Sequence, residues 1–420
     1  MDWFTFESTF SDNPDDYPFR KELIKTFTEL THLKPIPDMN LRLILFLFII
    51  SLTAPCFGQK SCKCPKSESR DRSPVASFDL GGNLPVILCG ASRLEGSEDR
   101  WQSGQLLDCK RNLLLDLSGQ EYALRQDRDR LYISWFIELP SGTLAESNEW
   151  TTFIQILQLN EAAKLNLSPR NFVLFPESIP AHEAAFFLQQ LEASKIPLSD
   201  HSIRYLLTLA LQNREEFGAR FLKMDSFYGA VKDEASLREC RSLYEQAPEK
   251  NTYRPDRSLS SVQLFNNQSL KELLGDQPRR FLEEDDGLPM IQLRSEDKTR
   301  LISMSRRLGY RDERIIIFRL EQISANLRFG KYVLTWTDEQ EAENPMQSGL
   351  GIRLGMSPEE VMALAGLPKR WDNPRAEREL LVYHNDDPAD VTAAQLGLRR
   401  YFALYRFRHG RLVSMEYGFE

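Results

Sequence analysis

The sequence predicts an α+β, multidomain protein: a β-rich N-terminal domain, a helical middle, and a C-terminal unit of one helix plus an antiparallel sheet. Three observations point there. Residues 76–165 hold short apolar runs (NLPVILCG, NLLLDLS, RLYISWFIELP) separated by Gly, Asp and Ser, the punctuation of strands and turns. Between residues 181 and 246 apolar residues recur at helical spacing instead. After residue 348 a cappable helix is followed by strand-like runs, the last two joined by His409-Gly410.

Length and texture set the boundaries. A chain of 420 residues is too long for one small core and is expected to divide into about two to four domains. The expected segments are a leader over 1–38, a signal peptide over 39–58, a Lys/Ser/Pro-rich linker over 59–75 and a β-rich domain over 76–165. A helical region over 166–250, an α+β region over 258–345 and the C-terminal unit over 348–420 follow.

The run from Leu43 to Ala54 is uncharged and apolar. It is well short of the roughly 20 residues a bilayer-crossing helix needs, and it has the length of a signal-peptide core. Arg42 precedes it, Pro55 ends it, and Gly58/Gln59 is the expected cleavage site. A lipid anchor on Cys56, an uncleaved membrane anchor and a buried helix are the competing readings. The acidic stretch from Met1 to Asp38 is unlike a signal n-region, so translation is expected to begin at Met39; a cytoplasmic tail is the alternative.

Residues 1–58 carry eight acidic and five basic side chains, so the net charge moves from −8 to −5 without them. A mildly acidic chain cannot rest its binding on phosphate neutralisation, which argues against a nucleic-acid partner. Beyond Cys56 five cysteines remain: Cys62, Cys64, Cys89, Cys109 and Cys240. Cysteines in an oxidising compartment tend to pair. Cys89 and Cys109 each end a strand-like run and are the first candidates for a disulfide. Cys62-Lys63-Cys64 makes an incomplete metal site by itself, and the odd count leaves at least one thiol free or bonded to another chain.

Within 76–165, two runs between Tyr122 and Leu139 flank Gln126-Asp127-Arg128-Asp129-Arg130, a hairpin in a small sandwich or meander. In the helical region Asp200, Ser202 and Asp233 stand where helix caps are useful, and the helices are expected to form a bundle or short array. The polar stretch 247–258, with two prolines, reads as a boundary.

The C-terminal unit parses residue by residue. Ser357-Pro358-Glu359-Glu360 is a capping box with proline in the first turn. Val361, Met362, Leu364 and Ala365 give an apolar face, and Gly366 can end the helix. A strand at Leu380–Tyr383 and a hairpin at 401–417 follow. A regular two-residue turn puts Phe402, Leu404, Val413, Met415 and Tyr417 on one face, expected to pack on the helix. Tyr401, Tyr405, Phe407 and Leu412 then share the other face. Left uncovered they form an aromatic binding patch; the alternative is that another domain covers them. Arg408 and Arg411 face each other beside the turn, a repulsive pair that suggests an acidic contact.

This order of capped helix, Gly366-Leu367-Pro368, strand and closing hairpin at Gly410 resembles the SmpA/OmlA (BamE-like) family and the related β-lactamase-inhibitor-protein fold. The resemblance spans about the last seventy residues, from Leu354-Gly355-Met356 onward. It implies a small exported or lipid-anchored module that binds another protein at the cell envelope and is not an enzyme. Asn266 to Gly275, with Pro278 and the runs MIQL and RIIIFRLE after it, reads as a degenerate second copy; an unrelated α+β domain is the alternative.

Catalytic chemistry finds little support. His182-Glu183-Ala184-Ala185-Phe186 begins like a zinc-protease helix but has Phe186 where the second histidine belongs. His384 to Asp390 offers carboxylates for Ca²⁺ without the glycine or closing glutamate of a loop site. No nucleophile elbow, phosphate loop or dinucleotide fingerprint occurs. The expectation is therefore an exported (periplasmic or secreted), non-enzymatic protein without metal, cofactor or nucleic acid. Its C-terminal module would bind a protein partner through Tyr401, Tyr405, Phe407, Leu412, Arg408 and Arg411. The alternative is a secreted hydrolase with its site within 76–246.

Overall fold

The structure, a computed structural model, describes residues 62–65, 74–81, 85–94, 100–119, 121–140, 147–160, 164–176, 179–193, 198–248, 253–274, 282–285, 288–306, 314–324, 333–385, 391–395, 397–398 and 400–420. The leader 1–38, the signal segment 39–58 and most of the 59–75 linker lie outside the described residues. Helices and strands are mixed: the N-terminal region is strand-rich, the C-terminal region is sheet-rich, and helices are few. Cys62–Glu420 form one compact unit rather than separate ones. One contiguous apolar core runs from Leu80 to Phe419 across every expected boundary between them.

Two sheets build the N-terminal region. In the first, β1 (Ala76–Phe78), β2 (Val86–Cys89), β5 (Gln105–Asp108) and β6 (Leu113–Asp116) lie in that order. The second has β3 (Ser92–Arg93), β4 (Arg100–Gln102), β7 (Glu121–Asp127), β8 (Arg130–Pro140), β9 (Ser147–Leu159) and β10 (Leu165–Leu167), in the order β10-β9-β8-β7-β4-β3. β11 (Asn171–Phe172) also pairs with β9. The hairpin read around Arg128 is the β7–β8 turn, with Asp127 opposite Arg130.

The disulfides differ from the expected Cys89–Cys109 bond. Cys62 bonds to Cys109 and Cys64 to Cys89, with Cα–Cα distances of 5.1 and 5.7 Å. The reason lies in strand direction. β2 and β5 are antiparallel with Cys89 opposite Gln105, so the two strand ends point apart. Four residues separate Gln105 from Cys109, about 13 Å along a strand, beyond the reach of one disulfide. Cys62-Lys63-Cys64 is thus the partner of both, not a metal site, and it packs over Ile87 and Leu107. Cys240 is the free, buried thiol. Two disulfides are what an oxidising compartment maintains. No helix among the described residues is long and apolar enough to cross a membrane.

Helices α1 (Ala181–Ala193), α2 (Asp200–Gln212), α3 (Ala219–Leu222), α4 (Met224–Tyr228) and α5 (Glu234–Gln246) follow, with a π-turn at Arg214–Gly218. Asp233 caps α5 as expected. The cap of α2 is Ser199, one residue before the expected Asp200, whose carboxylate pairs with Arg204 instead. Helix α2 packs on both α5 and β8, so these helices lean on the sheet rather than stand as a separate bundle.

A two-strand ribbon, β12 (Ser258–Leu259) and β13 (Val262–Gln263), leads to α6 (Asn267–Leu274). β14 (Leu282–Asp285), β15 (Leu288–Ser295), β16 (Arg300–Arg306) and β17 (Ile315–Gln322) then form a meander. β18 (Val333–Trp336) adds parallel to β15, and α7 (Asp338–Glu343) follows. Next come α8 (Pro358–Ala365), β19 (Arg370–Asp372), β20 (Arg378–Asn385), α9 (Val391–Gln395), β21 (Tyr401–Arg408) and β22 (Arg411–Phe419). The Ser357/Glu360 capping box forms as read.

The strands of the last sheet run β14-β15-β16-β17-β22-β21-β20-β19. Each half therefore goes in chain order from its own edge to the centre, and each is preceded by a helix, α6 or α8. The halves meet where β17 and β22 pair antiparallel, from Ile317 opposite Gly418 to Glu321 opposite Ser414.

The closing hairpin departs from a regular register. Arg408 faces Arg411 and Phe407 faces Leu412, but Arg406 faces Ser414, leaving Val413 as a bulge. Because side chains alternate between faces, one extra residue sends everything after it to the opposite side. Met415 and Tyr417 therefore join Tyr401, Tyr405, Phe407 and Leu412 on one face, not Phe402 and Leu404 on the other. Helix α8 packs against β9 and β11 of the N-terminal region.

Candidate functional site

Tyr401, Tyr405, Phe407 and Leu412 do not form a free patch. Both tyrosines are fully buried, and Phe407 and Leu412 are 2% and 1% exposed. Residues 253–259 of the same chain cover the tyrosine end of this face, and Leu412 is bonded through its main chain to Gly355 and Met356. The Tyr253 ring lies 4.5 Å from that of Tyr383 and 5.7 Å from that of Tyr401. Tyr401 Oη donates to Asp256 O at 2.8 Å and accepts from Asp256 N at 3.0 Å. The Asp256 carboxylate in turn accepts from the N–H groups of Gly349 and Leu350 at 3.0 and 3.1 Å. The segment looks like a boundary because it is polar, yet a phenol hydroxyl and turn amides satisfy the main chain and carboxylate of Asp256, so this polar residue can be buried. Burial lifts the Tyr253, Tyr383, Tyr401, Tyr405 and Tyr417 phenols well above their usual range.

The opposite face of the same sheet is the less completely buried one. Leu404 faces Glu416 on one side and Val382 on the other, Leu380 faces Arg406, and Ile317 faces Gly418. Ile317, Leu380 and Leu404 are half-buried. Around them stand two ion pairs, Arg319–Glu321 at 2.9 Å and Arg406–Glu416 at 3.4 Å. The face closes towards Val382 and Phe402 on one side and towards Leu301, Ser303 and Ser305 on the other, all of which are buried.

At the open end Arg378 is opposite Arg408, and Arg408 is opposite Arg411. All three are exposed. Arg411 donates to Gly355 O at 3.3 Å, and none of the three is ion-paired with a described residue. Arg408 and Arg411 thus face each other as the sequence implies. Arg378 was missed because the strand was read from Leu380; extending its alternation by two residues reaches it.

A cleft of about 710 Å³ lies where β4, β7, β8 and β9 meet α5. Arg170 stacks on Trp135 at 4.8 Å, and Arg100 stacks on Phe136 at 4.5 Å while pairing with Glu149. Glu138 is directly opposite Glu149, and Arg204 joins Glu239 at 2.9 Å to Glu138 O at 3.2 Å. These residues come from separate elements and share no local sequence signal. The cleft offers charges and aromatic surface, and no histidine lines it. His182 is exposed at the start of α1, and His201 is half-buried with its ring 6.4 Å from Tyr205. Among the described residues no group of three or more His, Cys, Asp or Glu is placed to hold a metal; the loop beyond Asn385 lies outside them.

No protein-family model, curated protein or solved structure matches this chain.

Proposed function

We propose that this is an exported, non-enzymatic protein that binds another protein in the periplasm or outside the cell, through the outer face of its C-terminal sheet. The two disulfides support export, and residues 39–58 are assigned as the cleaved signal, leaving Gln59 first. Residues 348–420 are read as a BamE-like unit. The capped α8, the Gly366-Leu367-Pro368 stop and the antiparallel β20, β21 and β22 support that reading. The converging strand order of the sheet supports a second, degenerate copy in α6 to β17 and hence the tandem arrangement of the inhibitor-protein fold.

The observation that carries the proposal is the contrast between the two faces. One is buried within the chain itself, its tyrosines under residues 253–259. The other leaves Ile317, Leu380 and Leu404 half-exposed in a frame of charges, the mixture of apolar centre and polar rim that interfaces use. The contact is thereby moved off Tyr401, Tyr405, Phe407 and Leu412 and onto this face. The test is affinity capture from envelope extracts with the chain beginning at Gln59. Wild type should retain a partner that Leu380→Asp/Leu404→Asp loses with an unchanged circular-dichroism spectrum. Identical capture by both proteins would defeat the proposal.

A further inference from the structure

We infer that Arg378, Arg408 and Arg411 form a reading row for an acidic segment of the bound protein; this rests on the outer-face reading above and names the chemistry of its partner. Three strands place the residues side by side: Arg378 on β20, Arg408 on β21, Arg411 on β22. Neighbouring strands are about 4.8 Å apart, so the Cα positions span about 10 Å. Like charges directly opposite one another destabilise a sheet, and this row holds two such oppositions in succession. The nearby ion pairs Arg406–Glu416 and Arg319–Glu321 lie further along the same face, so neutralisation is the local rule that the row breaks.

Arginine suits the task. Its planar fork donates to a carboxylate at two points, and it stays charged at every physiological pH. Arg411 is steadied by its bond to Gly355 O, which joins the row to the turn before α8. Beside the row, His409 stands 3.9 Å from Glu377, so that carboxylate is directed at the turn histidine, while the buried Glu360, which Arg411 also senses, is already held by Arg125. A run of Asp or Glu in a partner supplies several carboxylates across 10 Å without requiring a shaped pocket, which an open strand end does not provide.

The probe is a fluorescein-labelled hexaglutamate peptide, with hexa-alanine as control, titrated against the chain beginning at Gln59 at 50 mM salt. The inference expects binding of hexaglutamate but not hexa-alanine, weakening steeply between 50 and 300 mM salt as exposed charges are screened. Arg378→Ser/Arg408→Ser should weaken it tenfold or more, while Arg220→Ser, on α3 beside Glu192 and away from this sheet, should leave it within twofold. Absence of binding by wild type, or equal binding by the double variant, would overturn the inference. Tighter binding of single-stranded DNA or of anionic phosphatidylglycerol vesicles than of hexaglutamate would also overturn it. The two proposals fail separately. A partner lost from Leu380→Asp/Leu404→Asp but retained by Arg378→Ser/Arg408→Ser leaves the outer face standing and removes the acidic reading.

Discussion

Arg125 on β7 grips Glu360 on the first turn of α8 with two hydrogen bonds, across 235 residues of sequence. The Glu360 side chain is 5% exposed, and it also accepts from the Ser357 N–H at 2.8 Å. One carboxylate thus caps its own helix and ties that helix to the N-terminal region. Around it Arg353 pairs with Asp127 at 3.0 Å, Arg130 donates to Gly351 O at 3.1 Å, and Trp150 meets Trp371 edge to face at 6.0 Å. Strands β7 to β9 and the C-terminal unit are joined by this seam.

Removing one side of the pair should therefore cost more than a surface ion pair would. Arg125→Met leaves a buried carboxylate without its cation, a change expected to cost about 2–3 kcal/mol, with the part-exposure of Arg125 keeping it at the low end for buried pairs. Arg125→Met/Glu360→Gln should recover part of that loss, because no charge is then stranded. Urea midpoints for wild type, both single variants and the double variant measure it. Additive losses would show that the two side chains act independently.

The disulfide pattern makes a covalent prediction. Non-reducing peptide mapping of the chain beginning at Gln59 should find Cys62–Cys109 and Cys64–Cys89 and no Cys89–Cys109 peptide. Burial pushes the Cys240 thiol up to about 12, so maleimide should label no cysteine in the native protein and one in urea. Cys64→Ser/Cys89→Ser opens a closure of 25 residues and should lower stability by about 3 kcal/mol. A native-state label on Cys62, Cys64, Cys89 or Cys109 would contradict this pairing, and one on Cys240 would contradict its burial.

These outcomes show which features local sequence could carry. The Ser357/Glu360 box, the β7–β8 turn and the His409-Gly410 hairpin were legible because each is decided by neighbours within a few residues. The pairing of Cys89 was not, since it depends on which way β5 runs beside β2. Nor was the face occupied by Met415 and Tyr417, which a single unpaired Val413 reverses. The cover over Tyr401 was hidden for a third reason: it lies 145 residues away in a segment whose polarity looked like a linker. The Arg125–Glu360 bond, and with it the joining of regions read as separate domains, had no signal in either half alone.

The buried Asp256 should leave a mark on the pH dependence of stability. Desolvation raises its carboxyl above the usual carboxylate range, offset in part by Ser348, Leu350, Ser258 and Gly349 as donors. A raised folded value means the folded chain holds the proton more tightly than the unfolded one. The stabilisation is complete below the unfolded value of about 3.9 and is lost as pH rises through the folded value. Asp256→Asn abolishes this titration but surrenders acceptor capacity, and should be less stable than wild type by about 1–3 kcal/mol. The difference between the two urea midpoints should narrow from pH 3.5 to 7. A difference that widens would mean that ionisation of Asp256 stabilises the fold.

Where the two halves of the last sheet meet, Gly418 admits no larger residue. Its φ is +156°, and a Cβ there would lie 2.1 Å from Ile316 O and 2.8 Å from Ile317 Cα. Both obstacles are main chain, so no rotamer change relieves them, and relief requires β17 and β22 to separate. Their register joins Ile317 to Gly418 and Phe318 to Tyr417, with the Phe318 and Tyr417 rings 5.7 Å apart. Gly418→Ala should therefore cost at least about 3 kcal/mol, more than the strain of an ordinary overpacked core site. Gly410→Ala, at φ +67° with open space around it, carries only the left-handed penalty of about 1–2 kcal/mol. Thermal melts of the two variants should rank in that order. The reverse order would place the weak point of the sheet at the hairpin turn rather than at the junction of its halves.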